Sequence, residues 1–284
     1  MFNNAPAYTR TSKMKRLQAI LAILFLCISG VTFAQPDSSF KFLRSIKGEF
    51  SWFNVDNLNN VYELTIDNQL KKIDENGDSV AVFNDVKRYG NPYSVDVTNP
   101  LKILLYYKNF STVVILDRLL TVRNTINFRD QNIFSVRAIA TSYDNNIWIF
   151  DEQDYKLKKI DETGKMLQET TDWRSIFDFV PSPTRLIDRD NYVYLYDAEK
   201  GFYVFDYYSG FKKQLPFMDW SDVEVSGKNI YGFHNRTLYS YELNSFVLKE
   251  YKLPVFIGIY RGVKAMNGKV YFNKGDRIDI YQVK

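Results

Sequence analysis

Five acids recur at one position of a repeating pattern, and they are the residues best placed to do chemistry. Asp74, Asp117, Asp161, Asp206 and Glu242 each follow an apolar residue, as in Ile73-Asp74 and Ile160-Asp161. Hard carboxylate oxygens suit calcium or a similar ion, so a ring of them is a candidate metal site. The same acids stand just before tight turns, with Gly77 and Gly164 following two of them. A carboxylate placed there accepts turn N–H groups, and this structural role is the favoured reading. His234 is the only histidine and lies in the short loop His234-Asn235-Arg236. One histidine makes neither a His-based zinc site nor, easily, a Ser-His-Asp triad. A solvated loop position is its expected place. No catalytic set, metal site or cofactor is expected.

The elements that carry these residues repeat. A turn residue followed by a β-branched or apolar residue, and often an aromatic, occurs six times, as in Asn59–Tyr62, Asn145–Trp148 and Gly268–Tyr271. Its third residues are 61, 103, 147, 193, 230 and 270. The apolar–acid motif tracks it at nearly the same intervals, ending with Tyr281-Gln282. Two phased motifs at roughly 40–45 residues indicate propeller blades of four strands. In the third copy the expected strands are 136–143, 147–151, 156–161 and 165–172. The sixth copy has only three strands before Lys284, whereas Ser39–Glu49 is a strand without a blade. Pairing the two closes the ring and shields its sheet edges. The fold class is therefore all-β: a six-bladed β-propeller of four-stranded blades, closed by its N-terminal strand.

Residues 1–34 read as a signal peptide. Lys13, Lys15 and Arg16 precede the apolar run Leu17–Ala34, which ends in small residues; that order is the secretory pattern. Met14 is the more natural start, so residues 1–13 count as a misassigned beginning. The uninterrupted apolar core is too short for a bilayer span of roughly 20 residues. Lipidation at Cys27, the only cysteine, is the alternative, but bulky Phe25 and Leu26 precede it. Of the 37 basic residues four lie in this stretch, which leaves 33 against 33 acids in residues 35–284. A neutral chain lacks the basic footprint of a nucleic-acid binder, and without Cys27 it has no thiol chemistry. Residues 35–284 form a single domain.

Ile139–Leu167 resembles the NHL-repeat pattern: a turn, Asn-Ile-Trp-Ile, a variable loop, then Ile160-Asp161-Glu162-Thr163-Gly164-Lys165. Val55–Val80 matches nearly as well, and the other copies match more loosely. The resemblance implies a propeller of the NHL or TolB-like kind. Related gluconolactonase-like propellers hold calcium or zinc over the central channel through Glu, Asn and Asp, but no local motif of that family appears. Related peptidyl-hydroxyglycine lyases use channel histidines, which a single His234 does not supply. A compact exported propeller is also similar to plug-type proteins of the type IX secretion translocon.

The non-repeating loops carry the remaining signal. Segments joining a fourth strand to the next first strand are long and apolar, although loops are normally polar. Trp173, Ile176, Phe177, Phe179, Phe217, Trp220, Phe256 and Tyr260 lie in them. Trp173, Ile176, Phe177 and Val180 follow helical spacing, which predicts one short helix near 172–180, capped by Thr171 or Asp172 and stopped by Pro181. Its apolar face either packs on the blade edges or joins the other loops in a patch for a protein partner. The expected function is a non-catalytic exported propeller that binds a protein in the periplasm or at the outer membrane, within a secretion translocon if the plug resemblance holds. A metal-dependent lactone hydrolase and a glycan-binding module are the alternatives.

Overall fold

The structure, a computed structural model, describes residues 39–284. The expectations for residues 1–34 lie outside the described residues. Twenty-four strands form six antiparallel sheets of four. Blade one holds β2 (Trp52–Val55), β3 (Val61–Leu64), β4 (Leu70–Ile73) and β5 (Ser79–Phe83). Blade two runs from β6 (Ser94–Asn99) through β7 (Lys102–Tyr107) and β8 (Thr112–Asp117) to β9 (Val122–Asn127). The third comprises β10 (Val136–Thr141), β11 (Ile147–Asp151), β12 (Lys156–Ile160) and β13 (Met166–Glu169). Next come β14 (Arg185–Arg189), β15 (Tyr192–Asp197), β16 (Gly201–Asp206) and β17 (Phe211–Leu215). The fifth has β18 (Ser221–Ser226), β19 (Asn229–His234), β20 (Thr237–Glu242) and β21 (Leu248–Lys252). Blade six is β22 (Gly262–Met266), β23 (Lys269–Asn273) and β24 (Arg277–Val283), completed by β1 (Phe40–Lys47). β1 runs antiparallel to β24 from Phe40 opposite Val283 to Lys47 opposite Arg277. The ring closes as the two incomplete ends of the sequence require.

The core is divided into six wedges, one between each pair of neighbouring blades. Alternation along each second strand builds them. In β7, Ile103, Leu105 and Tyr107 face blade one, and Leu104 and Tyr106 face blade three. In β11, Ile147 and Ile149 point back to blade two, and Trp148 and Phe150 point on to blade four. A strand buried on both faces reads as a continuous apolar run, which is why these strands were conspicuous.

The third and fourth strands of blades one to four share an irregular register beside the turn acid, for example at Lys72/Ile73 and Lys159/Ile160. The turns need a left-handed residue, supplied by Gly77 (φ 99°) and Gly164 (φ 92°). Glycine takes that conformation without a Cβ penalty. Among the described residues helix is confined to short single turns. The expected short helix is a single 3-10 turn, Trp173–Ser175, whose Arg174 N–H is capped by the Asp172 side chain. One further turn, α1 (Val86–Tyr89), joins blades one and two.

Candidate interaction surfaces

Antiparallel strands place the second-to-third and blade-to-blade loops on one face, and the two tighter sets of turns on the other. On the tight-turn face the repeated acids hold their turns. Asp74 Oδ1 accepts the N–H groups of Asn76, Gly77 and Asp78 at 2.8–2.9 Å. Asp117 accepts from Leu119 and Thr121, Asp161 from Thr163 and Lys165, and Asp206 from Tyr208 and Gly210. The Asp78 N–H holds the Asp74 carboxyl below its usual range; the Thr163 hydroxyl does so for Asp161, and Lys212 for Asp206. Glu242 departs from the pattern and accepts instead from the Ser245 hydroxyl at 2.8 Å. Both His234 ring nitrogens are engaged, Nδ1 with the Asp219 carbonyl at 2.9 Å and Nε2 with the Asn235 side chain. Among the described residues no group of three or more His, Cys, Asp and Glu is arranged to hold a metal ion.

On the loop face the eight apolar residues divide. Trp173 is fully buried, stacked on Phe205 at 5.1 Å and tilted against Phe150 at 4.8 Å. Trp220 is also buried, parallel to Phe217 at 4.5 Å and to Tyr239 at 5.2 Å. Gly232 makes room for it: a Cβ there would run into the indole. These two tryptophans are corrected to core residues, because a seam between two diverging blades leaves a wedge that a large ring fills. Phe177 is half-buried, edge-on to Trp173, Tyr203 and Phe211. Phe217 and Tyr260 are half-buried as well, the latter edge-on to Phe272 at 5.1 Å. Ile176, Phe179 and Phe256 remain exposed, Phe179 at 73%. The eight fall in three successive seams: three–four, four–five and five–six.

The most exposed apolar residues of the loop face were not singled out from sequence. Val255 and Ile259 are 92% and 91% exposed, on either side of buried Ile257. Their loop, Pro254–Tyr260, contains a 3-10 turn ending at Gly258 (φ 65°). Two cations from neighbouring loops fix it. Arg236 donates to the Gly258 and Pro254 carbonyls at 3.0 and 3.2 Å. Lys274 donates to the Ile257 carbonyl and, at 3.1 Å, to that of Ile259. Phe256 leans on Tyr281 at 6.1 Å. The result is a rigid lip with aliphatic side chains held out in water. The apolar run Val255–Tyr260 inside a loop was the available signal; weighting aromatics over aliphatics hid its tip.

Fold and surface together define the class: a six-bladed β-propeller. Its fold is similar to that of a structural genomics protein from Bacteroides thetaiotaomicron (TM-score 0.59, 11% identity, covering 88% of this chain and 73% of that one). It is also similar to a streptogramin B lyase (TM-score 0.55, 14% identity, 82% and 78% covered) and to the Neurospora crassa Pan2 WD40 domain (0.53, 13%, 87% and 86%). Identities this low carry the fold alone. Neither a protein-family model nor a curated protein matches the chain.

Proposed function

We propose that this chain is a non-catalytic, exported propeller that holds a protein partner in the cell envelope through its loop face. The observation that carries the reading is the lip at Val255–Ile259. Isolated exposed apolar residues are ordinary, but aliphatic pairs this exposed on a loop fixed by four cation–carbonyl hydrogen bonds are not. A loop already rigid loses little entropy when it docks, which favours binding. Phe256 at its side is the aromatic anchor that interfaces use. Ile176 and Phe179 extend the surface toward the seam between blades three and four.

Export rests on the basic, apolar and small-residue order of residues 13–34. Among the described residues no helix is long and apolar enough to cross a membrane. The periplasmic face of an outer membrane is the proposed location. The resemblance to plug-type proteins makes an outer-membrane secretion translocon the proposed partner class. The test is crosslinking in cells followed by identification of what is captured. Wild-type protein is expected to capture an outer-membrane protein, and the double variant Val255→Asp, Ile259→Asp to lose it while keeping its thermal transition. Equal capture by both proteins, or no envelope partner for either, defeats the proposal.

A further inference from the structure

The opposite face carries a second, unassigned feature. A depression of about 290 Å³ opens where the tight turns of blades one to four meet. Its size is at the lower end of small-molecule sites. The walls are fixed by hydrogen bonds across blades. Asp96 of blade two accepts the Thr141 N–H of blade three at 2.6 Å. Asp188 of blade four accepts from Ser142 (3.0 Å) and the Trp148 indole (2.9 Å) of blade three, and from Tyr207 (2.9 Å). With both oxygens engaged, Asp188 is scaffold and not a ligand.

Two buried polar atoms around this mouth have no hydrogen-bond partner among the described residues. Thr141 is 98% buried, and its hydroxyl has no hydrogen bond. Arg189 Nε is likewise buried and without a hydrogen-bond partner among the described residues. Buried polar atoms are nearly always satisfied, so two orphans lining one depression call for an explanation. Asn57 adds a side-chain amide, and Asp190 a carboxylate beside Arg189. Tyr143 supplies a ring, stacked on Tyr207 at 4.2 Å and 66% exposed. A lining that offers both donors and acceptors suits hydroxyl groups, which are both. A tyrosine face suits the C–H face of a sugar ring. With Asp188 and Asp190 against Arg189 alone, the lining carries no net positive charge for an anion.

We infer that this depression is a binding subsite for a neutral saccharide ring, with Tyr143 as the stacking platform and Arg189, Asp190 and Thr141 bonding its hydroxyls. Binding to one small ring is weak, with Kd on the order of 1 mM. The probes are glucose, galactose, mannose and N-acetylglucosamine, with glucuronate and inorganic phosphate alongside, measured by saturation-transfer NMR and titration. At least one neutral sugar is expected to bind, and Tyr143→Ala and Arg189→Ala each to weaken it at least ten-fold. Tyr143 is exposed, so its removal leaves the fold intact; unchanged thermal transitions check both variants. No binding by any neutral sugar overturns the inference. So does tighter binding of glucuronate or phosphate, or binding that both variants retain. The lip variant Val255→Asp, Ile259→Asp is expected to bind sugar normally, which separates this site from the proposed protein interface.

Discussion

Blades one and three contain nearly the same octapeptide, Leu70–Gly77 and Leu157–Gly164, yet the seams that follow them are filled by different side chains. What the octapeptide does is common to both. Its acid holds the turn. Its second lysine lies over the aromatic ring of the neighbouring strand: Lys72 over Tyr62 at 5.4 Å, Lys159 over Trp148 at 4.9 Å. That lysine also reaches the residue after the turn acid of the next blade. Lys72 meets the Arg118 carbonyl, and Lys159 meets the Tyr207 ring. The surroundings make the difference. Tyr62 donates to Asp56 of its own blade, whereas Trp148 donates to Asp188 of the next. Repetition supplies a common joint, and non-repeating neighbours decide how tightly each joint is closed.

The strongest test of that contrast removes the large ring from each seam. Trp173→Ala takes out a fully buried indole between Phe150 and Phe205 and is expected to cost about 4 kcal/mol. Tyr89, after blade one, stacks on Tyr107 at 4.9 Å and meets Phe110 edge-on. Its replacement by Ala is expected to cost about 3 kcal/mol. Chemical denaturation of both variants gives the comparison, with Phe179→Ala as an exposed control near zero. Equal losses at the two seams would remove the idea that they are closed to different degrees.

The blade count, the ring closure and the turn role of the acids were legible because each is local or periodic. Strand alternation, turn chemistry and an unpaired strand at each end are written residue by residue. The seams were not legible in the same way. Trp173, Ile176, Phe177 and Val180 have helical spacing, but only one 3-10 turn forms there. Phe177 still bonds the Trp173 carbonyl at 2.9 Å, after which its ring is taken up by Tyr203 and Phe211. Tertiary ring contacts outweighed the local pattern. For the same reason Trp173 and Trp220 looked like surface anchors and are core. The proposed saccharide mouth was invisible because Thr141 and Tyr143 come from blade three and Arg189 from blade four, and they share no motif.

A smaller effect, with a pH signature, is expected at Asp188. Burial pushes its carboxyl above the usual range despite the Trp148, Tyr207 and Ser142 donors. Between the unfolded and the folded value the folded protein therefore holds a proton that the unfolded chain has released. That contribution to stability is complete below the unfolded value of about 3.9 and is lost as pH rises through the folded value. The turn acids Asp74, Asp161 and Asp206 act in the opposite sense. Their depressed values give stability that is present above the unfolded value and lost as pH falls. They sit in partly exposed turns where solvent screens the charge, so their share is small. Asp188→Asn is expected to cost about 2 kcal/mol near pH 4, because an amide nitrogen replaces one acceptor. That deficit should shrink as pH rises through the folded value, because the wild type loses stability there and the amide does not. Parallel stability curves from urea denaturation across this range would show that Asp188 is not the raised group.

The finest test compares the two lysines themselves. Lys159 sits within 5.8 Å of three rings, those of Trp148, Tyr143 and Tyr207, and pairs with Asp144 at 2.5 Å. Lys72 sits over one ring and donates to one carbonyl at 3.1 Å. Burial lowers the Lys72 amine below its usual value, so its charge is the less well supported of the two. Methionine keeps most of the stem and its packing while removing the charge. Lys159→Met leaves Asp144 without its partner and takes a cation from three ring faces. Lys72→Met leaves only the Arg118 carbonyl to find water. The first is expected to cost more than the second by about 1 kcal/mol. A double-mutant cycle of Lys159→Met with Tyr207→Leu assigns the difference to the next blade. A coupling near zero would place it inside blade three, and the two octapeptides would then differ in their own blades and not in the seams they make.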